Sequence, residues 1–211
     1  VRPPPYADPR ALVAAIVADA DDADARLDSF YPEPHQGFRP QHATPVEVAL
    51  LAAGWLAEVR GAEVLDVGAG AGRFCIVGAL ATEGRFVGIE RRAHLVEAAR
   101  RAAAALGAER ARFEVGELDD DDALHEAFTG YYLFNPFAEH LLPREQRIDE
   151  EVPHEPARRE ADVARVERIL ARARPGTRVA TWHGFGGALE GYETVARRYV
   201  RHGLLELLVR A

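Results

Sequence analysis

The stretch VLDVGAGAGRFCIVGAL, residues 64–80, sets a short apolar run against a glycine-rich turn, and that turn against a second apolar run. Val64, Leu65 and Val67 read as a buried strand. Gly68, Gly70 and Gly72 let the backbone turn tightly, because glycine tolerates positive φ. From Gly72 to about Thr82 the spacing predicts a helix. A strand that passes through glycines into a helix is the entry unit of a doubly wound α/β fold. In such folds the turn lies where ligands bind.

The pattern outward from this turn keeps the alternation. Upstream, TPVE at 44–47 predicts a capping box: Thr44 as N-cap, Pro45 at the first helical position and Glu47 reaching back. The helix PVEVALLAAGWLAEV follows over 45–59. The central strand is EVLDV, 63–67. Downstream come the strand RFVGIE at 85–90, the helix 93–107 ended by Gly107, and the strand ARFEV at 111–115. A short helix near 122–128 leads to the strand YYLFN, 131–135. The polar segment 143–156, punctuated by prolines, reads as a loop that shapes the acceptor side. A helix over 157–173 is stopped by Pro175 and Gly176, and TRVATWH at 177–183 is a fifth strand. The last two apolar runs, 192–200 and 203–211, read as strands closing the sheet edge. At the other end, residues 1–10 form a proline-rich tail, 10–31 a first helix, and Pro32, Pro34, Gly37 and Pro40 break the pattern into a loop. Strands alternating with helices imply a parallel sheet with helices on both faces. There is no internal repeat.

Composition narrows the class. The chain has 211 residues, 48% of them hydrophobic, enough for one full core. No apolar run approaches the ~20 residues of a membrane span, and the first residues lack the apolar stretch of a secretory signal. The one cysteine, Cys75, has no partner for an internal disulfide, so a reduced, cytoplasmic setting is expected. Net charge is −8, against the basic footprint of a general nucleic-acid binder. The acidic runs at 19–25 and 119–122 read as solvated turns and helix starts, so no metal is expected.

The glycine spacing separates two ligand classes. A dinucleotide site uses G-x-G-x-x-G, with the third glycine allowing close helix–strand packing. Here the spacing is G-x-G-x-G, and the third dinucleotide position holds Arg73. Asp66, two residues before the turn, is poorly placed beside a pyrophosphate. It suits a cationic group such as the amino group of S-adenosylmethionine. Glu90, at the end of the second strand, can accept from two ribose hydroxyls, as NAD folds also arrange. After the third strand, Glu117 can accept from an adenine amino group and the Leu118 N–H can meet a ring nitrogen.

At these residues the sequence resembles the class I S-adenosylmethionine-dependent methyltransferases. VLDVGAGAG is similar to their first motif, GIE to their acidic second-strand end, VGEL to their adenine-side segment and NPF to their fourth-strand motif. HATPVEVA resembles a cofactor-capping Thr-Pro segment. HATPV, LFNPF and HGFGG together are similar to a group of uncharacterised bacterial members. The resemblance implies a Rossmann-like, seven-stranded, mostly parallel sheet with a C-terminal antiparallel hairpin over 44–211. Residues 1–43 then form a tail, helix and loop covering the cofactor site. The implied cofactor is S-adenosylmethionine, and the implied cofactor-binding residues are His42, Thr44, Asp66, Gly68, Ala69, Gly70, Gly72, Glu90, Arg91, Glu117, Leu118 and Asn135.

Three residues are candidates for the reaction centre. Asn135 offers an amide to orient the acceptor, Phe137 an apolar or cation-friendly face, and His183 a base. Amine methyltransferases carry D/N-P-P-Y/F, whereas this chain has a single proline, which departs from that pattern. His140 and His42 are further base candidates, and Cys75 reads as packing. The expected activity is methyl transfer to an unidentified acceptor, a small molecule or protein rather than nucleic acid, with a homodimer as the assembly. Two other readings remain at this point: a protein that binds S-adenosylmethionine or S-adenosylhomocysteine without turnover, and an NAD-linked oxidoreductase.

Overall fold

The computed structural model describes residues 14, 18, 22–32, 42–118, 127–149, 151–152 and 155–211. Helix α1 spans Ala23–Asp28 and α2 Val46–Leu56. Then come β1 (Glu63–Val67), α3 (Arg73–Ala81), β2 (Arg85–Glu90), α4 (Ala93–Leu106), β3 (Ala111–Val115) and β4 (Gly130–Leu133). Two 3-10 turns, Ala138–Leu141 and Arg144–Gln146, lead to α5 (Pro156–Arg172), β5 (Arg178–Trp182), β6 (Tyr192–Val200) and β7 (Gly203–Arg210). The expected 1–10 tail, the 33–41 loop and nearly all of the 122–128 helix lie outside the described residues, as does the 119–122 acidic run. Of the 10–31 helix, the described part shows the short α1.

The strands form one seven-stranded sheet in the order β3-β2-β1-β4-β5-β7-β6. The first five pair in parallel, and β7 runs antiparallel between β5 and β6. The order reverses between β1 and β4, which puts a crevice at their C-terminal ends. Register brings those ends level: Val67 is beside Ile89, Glu90 beside Val115, and Asp66 beside Tyr132.

Each sheet face has its own core. On one side, α2, α3 and α4 pack with Phe74, Phe86, Phe113 and Tyr132. The Phe74 ring stacks on Tyr132 with centroids 3.9 Å apart and meets Phe86 edge-on at 5.6 Å. On the other, Val163, Val166, Ile169 and Leu170 of α5 pack on Leu65, Val67, Leu133 and Val179. Burying both faces explains why β1, β4 and β5 read as near-continuous apolar runs.

The expected capping box does not form. Pro45 occupies the N-cap position and no side chain of its own segment caps α2. Thr44 turns inward, its hydroxyl 3.2 Å from the Tyr132 hydroxyl, and Glu47 pairs with Arg201 at 2.8 Å. The cap comes from α1, where Asp24 Oδ1 accepts the Val46 N–H at 2.9 Å. A distant carboxylate supplies what the local threonine was expected to supply.

Candidate functional site

The turn between β1 and α3 is built from three glycines with positive φ, but they serve different ends. A Cβ on Gly72 would lie 2.4 Å from the Phe113 ring and 2.8 Å from the Ala99 side chain. Gly72 therefore faces the core, starting α3 in a left-handed conformation (φ 78°). Gly68 lies under Pro136, 3.1 Å from a Cβ placed on it. Among the described residues, a Cβ on Gly70 would meet only the His42 carbonyl, at 4.0 Å, so no described side chain fills the space beside it. The Gly68 and Ala69 N–H groups both donate to the Ile89 carbonyl at 3.0 Å, fixing the turn to the end of β2.

Around this turn lies a cleft lined by the ends of four strands. Gly68 and Gly70 come from β1, Glu90 and Arg91 from β2, Glu117 and Leu118 from beyond β3, and Asn135 and Phe137 from beyond β4; His42 joins them from the N-terminal side. A smaller chamber behind the turn is lined by Thr44, Asp66, Ala69 and Arg73, and shares His42, Gly68 and Phe134. The structure thus gathers the sequence candidates at one place, with two departures. Gly72 supports the turn from behind. His183 is exposed, its ring 4.5 Å from Trp182, and is absent from the lining of both spaces.

Glu90 is buried and organises the turn. Its Oε2 accepts the Gly70 N–H at 3.1 Å and its Oε1 the Arg92 N–H at 3.0 Å. Asp66 is 4% exposed, and its Oδ2 accepts from the Cys75 thiol at 3.6 Å. Burial pushes the Asp66 carboxyl up to about 8; the Cys75 contact pulls it down, and the Glu90 charge pushes it further up. Burial also raises the Cys75 thiol, so Cys75 is a packed neutral group and not a thiolate nucleophile.

Asn135 takes a left-handed conformation (φ 40°), held by its N–H donating to the Gly184 carbonyl at 2.9 Å. That contact ties the segment after β4 to the segment after β5. Phe137 is buried in the second core. Glu117 is held by Arg91 at 3.3 Å and by Arg158. His140 is buried, with Nδ1 accepting the Glu155 N–H at 3.3 Å and Nε2 3.3 Å from Arg91.

Several residues here carry no sequence motif. The segment after β4 is strapped over the cleft by Arg92, whose Nε reaches both Asp149 oxygens at 3.0 Å and whose Nη2 reaches Glu139 at 2.8 Å. Burial opposes the Asp149 charge most strongly, but the Arg92 hydrogen bonds and charge, the Glu151 N–H and His94 together outweigh it and hold the carboxyl below its ordinary value. His42 Nε2 lies 2.8 Å from the Gln146 carbonyl and joins the N-terminal side to the same strap. Asp162, buried in α5, binds Arg91 at 2.5 Å and Arg165 at 3.2 Å. One signal for it was available: Asp162 falls on the apolar helical stripe with Val166 and Ile169, where a carboxylate needs a cationic partner. Arg73 is a third case. Buried beside the turn, it donates to the Thr44 carbonyl at 3.1 Å and pairs with Asp24 at 2.5 Å and with Asp28.

The comparisons with known proteins agree with this geometry. Residues 58–128 match the family model described as a methyltransferase domain. No curated protein matches the sequence. Among solved structures, an RNA methyltransferase from Salinibacter ruber, in complex with S-adenosyl-L-homocysteine, is similar at 20% identity, with 79% of this chain and 92% of that chain covered (TM-score 0.56). TrmN from Thermus thermophilus is similar at 21% identity over 83% of this chain and 51% of that one (TM-score 0.55). A precorrin-6y C5,15-methyltransferase from Geobacter metallireducens is similar at 12% identity over 82% and 92% (TM-score 0.53). At such identities the likeness is one of fold. The chain shares the seven-stranded, Rossmann-like fold of these methyltransferases, and its residues 58–128 are similar to a methyltransferase domain.

Proposed function

We propose that the protein is an S-adenosylmethionine-dependent methyltransferase acting on a small-molecule or protein acceptor. The observation that carries this reading is Gly70: its missing side chain leaves the turn open to the cleft, between buried Asp66 behind it and Glu90 beside it. A tight turn with no Cβ in the way lets a ligand approach the backbone closely. Asp66 and the turn would hold the amino-acid end of the cofactor, Glu90 the ribose, and the Glu117–Leu118 segment the adenine. When bound, the cofactor supplies a methyl group on a positively charged sulfur.

The chain's own residues then position and exclude. Asn135 lines the cleft from a backbone locked by the Gly184 contact, so an acceptor hydrogen bonded to its amide would keep a fixed direction. Phe134, Pro136 and Phe137 line the same side and keep water away from the acceptor. The Arg92 anchors hold the strap across the opening. His183, outside the lining, has no part in this arrangement.

The reading is tested with methyl-labelled S-adenosylmethionine and separate small-molecule, protein and RNA fractions. Label entering the first or second supports it, and Asn135→Ala should lower that transfer ~100-fold while leaving S-adenosylhomocysteine affinity within about twofold. Label entering RNA alone overturns the acceptor class. Binding without transfer to any fraction favours a non-catalytic cofactor binder.

A further inference from the structure

The two edges of the sheet end differently. At the β3 edge, Arg100 lies along the strand and donates to the Phe113 carbonyl from Nε at 3.1 Å and from Nη2 at 2.6 Å. At the other edge, β6 runs nine residues with no strand beside it among the described residues. Such an edge offers a row of N–H and C=O groups for pairing. Most of its side chains are also uncovered. Val195 and Tyr199 are exposed, Tyr199 at 77%. Glu193 and Arg198, both exposed, have no ionic partner among the described residues.

Backbone direction follows from the hairpin. Arg201 and His202 have φ of 49° and 62° and form a two-residue turn between Val200 and Gly203. Val200 is then bonded to β7, and alternation turns the backbone groups of Arg197 and Tyr199 to the open edge. Past the bulge, the Ala211 N–H donates to the Gly191 carbonyl at 3.0 Å. Gly191 and Glu193 therefore bond inward, and Thr194 outward.

The bulge between Thr194 and Ala196 selects the partner. A bulged, bent edge fits a flat regular strand poorly. A matching strand must carry the same bulge at the same height, and β6 of a second copy does. Two antiparallel copies related by an axis between Val195 and Ala196 bring their bulges together. That one register sets Glu193 opposite the partner's Arg198 and Arg198 opposite the partner's Glu193. It also sets Thr194 opposite the partner's Arg197, so that two outward-directed backbones meet, and Tyr192 opposite the partner's Tyr199. Opposite charges facing each other across an antiparallel pair stabilise it.

We propose that β6 is a homodimer interface, through which two copies join antiparallel into one continuous sheet with two Glu193–Arg198 ion pairs about a two-fold axis. Sedimentation velocity over a concentration series tests it. The parent should dimerise, and Glu193→Arg or Arg198→Glu alone should weaken dimerisation ~10-fold or more by setting like charges opposite each other. The double variant E193R/R198E, which restores the opposite pairs in reverse, should return the parent's association to within about threefold. Both residues are exposed, and circular dichroism melts confirm that each variant folds. A monomeric parent, single variants that dimerise like the parent, or a double variant no better than the singles overturns the proposal.

Discussion

Asp66 has a legible identity and an illegible state. Its place before the glycine turn is plain in VLDVGAG. Its neutral form is not, because that depends on the packing that removes water from it. With the carboxyl raised to about 8, the native state holds a proton that the unfolded chain releases near pH 4. The stability this contributes is fully present below the unfolded value and is lost as pH rises from about 4 through about 8. Asp66→Asn removes the titration while keeping the shape. Thermal unfolding at pH 5 and pH 8 should show a smaller fall in midpoint for the variant than for the parent. Equal falls would mean that Asp66 is ionised in the native protein. The same residue bears on ligand binding: an ammonium placed beside it favours the carboxylate, so binding near pH 7 should release protons. Thr44 teaches the opposite lesson about residues. Its local pattern predicts a cap, yet the Tyr132 hydroxyl and the Asp24 carboxylate, remote in sequence, decide what it does.

Among the elements, the strands were readable almost to the residue, because short β-type runs and glycine or proline punctuation are local signals. β1, β2, β3 and β6 fall where their apolar runs place them, and Gly107 ends α4 in a left-handed conformation (φ 67°). The ionic attachment of α1 was not readable, since it runs through Arg73, which sequence spacing marks only as an obstacle to dinucleotide packing. Arg73 joins α1 to the glycine turn through Asp24 and Asp28, and Asp24 also caps α2. Arg73→Ala strips both carboxylates of their buried partner. The expected cost is about 2 kcal/mol, below that of a fully buried pair because the carboxylates keep some contact with water. Denaturant titration measures it, and limited proteolysis should show faster cleavage within 22–32. Unchanged stability and unchanged cleavage would show that α1 is held by its apolar contacts, such as buried Leu27, alone.

For the whole molecule, the alternation of strands and helices implies the doubly wound sheet, and the reversal of order between β1 and β4 puts the cleft beside the glycine turn. The strap over that cleft follows no period, and its anchors are ion pairs between segments far apart in sequence, so it could not be read in advance. Among the described residues, no helix is long and apolar enough to cross a membrane. The cleft should accept a sulfonium nucleoside and not a dinucleotide. Calorimetric titration of the parent and of Gly70→Asp with S-adenosylhomocysteine, and of the parent with NAD, tests this most directly. The parent should bind S-adenosylhomocysteine and ignore NAD, and Gly70→Asp should lose binding, because its side chain fills the open space beside the turn and adds a carboxylate next to Glu90. Binding of NAD by the parent with no response to S-adenosylhomocysteine, or a Gly70→Asp protein that binds as tightly as the parent, would contradict the account.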